Sequence, residues 1–327
     1  MKRRDDHLRS TRRSYTYFPV DDPVLTERMQ AAVSVDGLYT YMLYQDLDHV
    51  FPYGFGRTSP RVQIVGPDAE RATPLIAAAL SERSFPSLDD GLRKFVSSTA
   101  QYLVFGGPCT YEIDYLYPAD AGSDDDPVAF GLELIQPGTL GALDGAPIQY
   151  VLPTISGTRD STGLSYVTLD RSTLVVFMLP PEFVAPVRTL IEFLMTANRE
   201  QGKEFELTRR SMTETTPYNF SAHLREKGTL FAEVTQPIGW NVRGLFKADQ
   251  LEPFSIWRQI RFLEFKVMVR DRIIEQLNTA IGQVGERMGF SASIEVTGVP
   301  TLEDVQSAKD DFRNGRRGLS DLASATI

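Results

Sequence analysis

Glu112 and Asp114 lie two residues apart in CTYEIDYLY, a spacing that puts both carboxylates on one face of a strand. Paired carboxylates hold Mg²⁺ or exchange protons. No further ligand accompanies them in sequence, so the pattern predicts a solvated strand face. Glu264-Phe265-Lys266 imitates the ExK element of a metal-dependent nuclease. That element belongs on a strand, and here it falls inside the most strongly periodic helix of the chain. Asp124–Asp126 lacks the glycine and spaced ligands of a calcium loop and reads as a polar turn. His7, His49 and His223 are far apart, none has a partner four residues away, and there is one cysteine, so no metal cluster is expected. Cys109 opens a strand and reads as a small buried apolar residue rather than a nucleophile. No GxGxxG, Walker A or GxSxG pattern occurs. No cofactor is expected, and the expectation is that the chain is not an enzyme.

Charge is more informative than any of these groups. The chain has 327 residues and a net charge of −9, and its 42% hydrophobic content suffices for a sizeable core. That excludes wholesale disorder, collagen and a disulfide scaffold. The first 13 residues, MKRRDDHLRSTRR, hold six basic and two acidic side chains, so the remainder carries −13. A basic arm (Lys2, Arg3, Arg4, Arg12, Arg13) on an acidic body suits a phosphate backbone or an acidic partner, and equally a solvated tail. Arg209-Arg210 and the run Arg313 to Arg317 each close a predicted helix, where they complement its dipole or meet a partner. No apolar stretch approaches 18 residues, so no membrane contact is expected, and the N-terminal residues lack the apolar core of a secretory signal.

The elements that must position these groups follow from periodicity. Helices are expected in residues 20–50, broken at Gly37, and from Thr73-Pro74 to Leu80. A clearer one opens at Ser87, with Asp89 and Asp90 in its first turn and Gly106-Gly107 as its stop. Arg61 to Val65 reads as a strand, and CTYEIDYLY with VAFGLELI as a hairpin across an acidic loop. Weaker strands lie at Ile148 to Leu152 and Ser165 to Leu169, and a stronger one at Leu174 to Met178. From Pro181 a helix runs to about Arg210, and a short helix then stops near Gly228. TLFAEV and WNVRGLF, within residues 229–246, read as two strands. Pro253 to Met288 is the strongest helix. Ile256, Ile260, Leu263, Val267, Ile274, Leu277, Ile281, Val284 and Met288 recur at steps of three and four, with Arg270 the one polar break. Such a helix spans roughly 50 Å. Phe254, Trp257, Phe262, Phe265 and Val269 lie outside that stripe, so a neighbouring subunit is expected to cover a second side. SASIEV is a strand, and Thr301 with Asp304 a capping box.

This order of elements resembles the portal proteins of tailed bacteriophages. The likeness is carried by QYLVFGGPCTYEIDYLY followed by VAFGLELIQPGTL, with Phe105-Gly106, Thr110 to Ile113 and Leu134 to Pro137 at the family's turn, strand and return positions. It is also carried by residues 228–290, which look like the end of a stem, a channel segment and a wing-crossing helix. The third piece is IEVTGVPTLEDVQSAKDDFRNGRRGLSDL, where Gly318, Ser320 and Asp321 stand at a recurring turn. The link at about 211–216 is very short for a clip domain, and the chain is short for the family.

The resemblance implies an α+β, portal-like fold. Its parts are a basic arm (1–19), a wing-like α/β domain (20–180), stem-like helices with a short clip-like link (181–228), a strand pair and channel loop (229–252), a long helix (253–290) and a crown-side segment (291–327). It implies a homo-oligomeric ring, usually of twelve subunits, at one capsid vertex of the virion, assembled in the host cytoplasm. Double-stranded DNA passes through such a ring during packaging and ejection. The major capsid protein surrounds it, the terminase large subunit docks on it, and a head-to-tail adaptor protein later takes that place. In this resemblance Lys247, Asp249 and Glu252, within Leu245 to Pro253, are the DNA-channel residues, and an acidic wall lets phosphates slide. Two other readings stay open: a different head-to-tail connector or capsid assembly component, and an intracellular enzyme built around Glu112, Asp114 and His49.

Overall fold

The computed structural model describes residues 8–10, 35, 37–51, 61–80, 87–118, 126–151, 156–211, 219–244 and 252–316. In chain order the elements are β1 (Leu8–Ser10), α1 (Leu38–Asp46), β2 (Arg61–Val65), α2 (Ala69–Leu80), α3 (Leu88–Gly106), β3 (Cys109–Pro118), β4 (Ala129–Leu134), β5 (Leu140–Leu143), β6 (Ala146–Tyr150), β7 (Tyr166–Thr168), β8 (Leu174–Phe177), α4 (Pro181–Ser211), α5 (Phe220–Thr235), α6 (Glu252–Met288), β9 (Ser293–Thr297) and α7 (Leu302–Arg313). The fold is α+β. It divides into two units, one formed by residues 1–34, 61–178 and 273–297, the other by 35–60, 179–272 and 298–327. No helix among the described residues is long and apolar enough to cross a membrane.

In the first unit β3 is the central strand. It pairs antiparallel with β4 on one edge (Tyr111 opposite Leu134), and with β8 (Cys109 opposite Phe177) and β1 (Ser10 opposite Leu116). Helix α3 forms as its sequence demands: the Ser87 side chain accepts from the Asp90 N–H, and Gly107 takes φ 79° past its end. Leu92, Val96, Ala100 and Leu103 are buried along it. Phe95, Tyr111 and Phe177 meet ring to ring at 5.1–5.6 Å, and Thr99 Oγ1 lies 2.9 Å from the Tyr111 hydroxyl. β2 pairs antiparallel with β9, and β5, β6 and β7 make a second small sheet. Residues 273–288 of α6 belong here. Asn278 brackets Ile294, donating to its carbonyl at 3.0 Å and accepting its N–H at 2.7 Å. The Arg71 guanidinium reaches the Met288 and Gly289 carbonyls at 2.9 and 2.8 Å, a cation at a helix C-terminus.

In the second unit Phe231 of α5 sits between Tyr39 of α1 (4.7 Å) and Phe193 of α4 (4.8 Å), and Phe183 meets Phe265 edge-on at 4.9 Å. Asn198 of α4 caps α1, accepting from the Tyr39 N–H at 3.0 Å. Gly37 is required at that junction, with φ 103° and no room for a Cβ against Asn198. Thr301 and Asp304 form the expected capping box of α7. That helix lays Val305 against Ile256, Ile260 and Val267, with Leu263, Ala308 and Phe312 around them. Arg270, the polar break in the stripe, is 2% exposed and donates to the Pro300 carbonyl at 2.7 Å.

Several expectations need correction. TLFAEV is not a strand. Helix α5 runs through Gly228 to Thr235, because burying Phe231 among Tyr39 and Phe193 outweighs the β propensity of the segment. WNVRG is a turn, described below. The expected strand pair of 229–252 is therefore absent from its described part. Helix α2 begins at Ala69, four residues before the expected start, and contains Pro74 as its sixth residue. β5 was not expected. Part of the basic arm is a strand rather than a tail: β1 needs only backbone pairing, which carries no periodicity. The second apolar side of α6 is covered in part by the chain itself: Phe265 and Val269 are fully buried and Trp257 stacks on Phe312 of α7 at 5.7 Å, while Phe254 stays 38% exposed. The expected helix in residues 20–34 lies outside the described residues.

Two substitutions check this arrangement. Gly282 lies in α6 with nothing within 4 Å of a built Cβ, so Gly282→Ala raises the unfolding free energy by about 0.5–1 kcal/mol in denaturant titration. Phe231→Ala lowers it by about 3–5 kcal/mol, whereas an exposed strand residue at this position would lose far less.

Candidate functional site

The residues singled out for DNA or partner contact are not among the described side chains. Lys2, Arg3, Arg4, Arg12, Arg13, Lys247 and Asp249 lie outside the described residues; Arg209 and Arg210 belong to the last turn of α4, and Glu252 opens α6, without described side chains. What is described is the frame that leads into residues 245–251, and it is unusual.

Between α5 and that segment the chain makes a tight turn. Gly239 has φ 77°, and a Cβ there would lie 2.5 Å from the Arg258 carbonyl and the Phe262 nitrogen, so only glycine lets the turn approach α6. Val242 and Arg243 then adopt φ 52° and 50° in succession. Left-handed backbone at a non-glycine residue costs on the order of 1–3 kcal/mol, most for a β-branched one. Trp240 is fully buried, and its Nε1 donates to Oδ2 of Asp46 at 2.8 Å. Arg243 Nε donates to Oδ1 of the same carboxylate at 2.8 Å, Nη1 to Gln45 at 3.0 Å and Nη2 to the Met42 carbonyl at 3.2 Å. The C-terminal end of α1 is thus held by one guanidinium and one indole. A strand reading of WNVRG hides this group; the odd spacing of Trp240 and Arg243 between two glycines is the only sequence signal for it.

The C-terminal end of α5 is held from the other side. Arg258, 2% exposed, donates to Thr235 Oγ1 and to the Trp240 carbonyl, and Arg261 donates to the Pro237 carbonyl at 2.9 Å. Burial pushes the Arg258 guanidinium down to about 10. No carboxylate among its described neighbours pairs with it; the Thr235 hydroxyl at the end of α5 and the Trp240 carbonyl in the turn accept from it. Lys266 lies 5.0 Å over the Phe262 ring; burial lowers its pKa, and the Asp46 carboxylate opposes that only in part.

The remaining candidates resolve into structural roles. The ExK pair is helical, as expected: Glu264 is ion-paired to Lys309 of α7. Glu112 and Asp114 do not form the expected solvated face. Asp114 is fully buried and Glu112 half-buried, so the face that carries them is covered rather than solvated. Glu133 stands opposite Glu112 in register, and all three carboxylates are engaged by other groups of the chain. Among the described residues no group of three or more His, Cys, Asp or Glu is placed to hold a metal ion. Glu112 and Asp114 belong to the first unit and His49 to the second. Arg313, 59% exposed, lies over the Trp257 ring at 5.2 Å and so helps to fasten α7 onto α6. No protein-family model matches the chain, and no curated protein matches its sequence.

Cys109 is buried, and burial pushes its thiol up to about 12. The thiol therefore stays protonated at pH 8, where the thiolate is the reactive form. Iodoacetamide at pH 8 is expected to modify the unfolded chain and spare the native one. Rapid stoichiometric labelling of native protein, read by intact mass, would contradict the burial.

Proposed function

We propose that this chain is the subunit of a portal-like ring that conducts double-stranded DNA at a capsid vertex. The observation that carries the reading is a succession: the 31-residue helix α4, a short link, α5, a pinned turn, the segment 245–251 with Lys247 and Asp249, and the 37-residue helix α6 followed by β9 and α7. In the portal resemblance these are paired stem helices, a channel loop, the wing-crossing helix and a crown-side segment. The strand pair that the resemblance placed before the loop is replaced by the end of α5 and the turn, so the reading rests on the helices and the elements after them. The chain's net charge of −9 supports it independently, because an acidic wall repels phosphates and lets DNA slide.

In this reading the ring sits in the virion among major capsid protein subunits, receives the terminase large subunit during packaging and an adaptor protein afterwards, and carries no catalysis of its own. Lys247 touches phosphates transiently, while Asp249 and Glu252 limit retention. Mass photometry of the purified chain tests the ring directly. The expected result is one dominant species near twelve times the 36.6 kDa chain mass, or near another small integer multiple that closes a ring. A folded chain that stays monomeric at micromolar concentration removes the proposal.

A further inference from the structure

We propose that the Asp46 carboxylate is the catch of an ionic latch that holds the turn from Trp240 to Gly244 in a strained state, and that opening the catch lets the turn relax. Trp240 and Arg243 are three residues apart. In an extended chain such residues point to opposite faces. Here both side chains converge on one carboxylate, one on each oxygen, at 2.8 Å. The successive left-handed residues Val242 and Arg243 are what curl the chain back to allow it. Neither is glycine, and Val242 is 2% exposed, so the conformation is imposed from outside the turn.

Val242 and Trp240 are buried and the catch is not. Trp240 is fully buried, whereas the Arg243 and Asp46 side chains keep 41% and 21% of their exposure. Salt reaches an ion pair of that kind and weakens it, while leaving an interior indole untouched. The Asp46 carboxylate also favours the charged form of Lys266 on α6, so a second cation senses the same anion. Losing the charge of Asp46 therefore removes the ionic fastening of Arg243, and an amide there keeps one acceptor oxygen for two donors, so Trp240 and Arg243 can no longer both be held. The latch is argued from these contacts alone and does not rest on the portal reading. It adds to that reading, since the turn ends where residues 245–251 begin.

The chain holds two tryptophans, so Trp257→Phe leaves Trp240 as a single fluorescent reporter in the full-length protein. In that background Asp46→Asn is expected to raise acrylamide quenching of Trp240 about two- to fivefold, the range over which an ion pair of this exposure shifts an equilibrium. Added salt is expected to raise quenching in the parent and to leave Arg243→Gly, already open, unchanged. Arg243→Gly removes the guanidinium and leaves Val242 strained, so the turn is expected to open, and because glycine tolerates φ 50° the thermal midpoint is not expected to fall. Quenching unchanged in Asp46→Asn overturns the latch. So does an Arg243→Gly protein whose Trp240 stays shielded, or one whose midpoint falls, because the contact would then be ordinary stabilising packing without stored strain. If Asp46→Asn does not fold, the Arg243→Gly readouts decide alone.

Discussion

A 37-residue helix with apolar side chains well beyond one stripe must be covered along its whole length, some 55 Å at the usual rise, and most of this structure follows from that constraint. In the second unit α7 exists as a helix because Val305, Ala308 and Phe312 cover Ile256, Ile260, Leu263 and Val267. Phe183 of α4 covers Phe265 there. In the first unit Ile273, Leu277, Ala280, Ile281, Val284 and Met288 are buried, and the polar groups among them are spent on backbone: Asn278 on β9, Gln276 on the Met178 N–H at 3.2 Å.

The cations along α6 obey the same economy. A buried guanidinium without a carboxylate is costly unless its donors are accepted elsewhere. Arg258 finds part of that acceptance at the Thr235 hydroxyl and the Trp240 carbonyl and Arg261 at the Pro237 carbonyl, while Arg270 pairs with Asp271 and donates to the Pro300 carbonyl just before α7. Each arginine thus fixes where a neighbouring element stops or starts. This is why the turn after α5 is so tightly defined and why Gly239 has no room for a side chain.

Elements whose signals are local were legible in the sequence. Ser87 and Thr301 cap the helices they announce, the strand Arg61–Val65 has its expected bounds, and α6 begins within one residue of its expected start. Elements decided by tertiary contact were not. The segment after Gly228 has strand-like composition, yet it is helical because Phe231 fills a gap between α1 and α4. Asp114 looks solvent-facing by alternation, yet lies at the centre of a sheet. The Asp46 group joins residues nearly 200 positions apart, and no local pattern reports such a pairing. Of the candidate site, the long helix that follows residues 245–251 was readable, while the segment before them read as two strands, and the end of α5 and the strained turn were visible only in three dimensions.

The succession of helices around residues 245–251 is what gives the portal reading its force, and it makes a demand on assembly that a single chain does not meet. Electron microscopy of the purified full-length chain tests it most directly. The account predicts closed rings with an axial channel wide enough for duplex DNA, and residues 245–251 at the channel wall. Monomers, open filaments, or rings that carry residues 245–251 on the outer rim would contradict it.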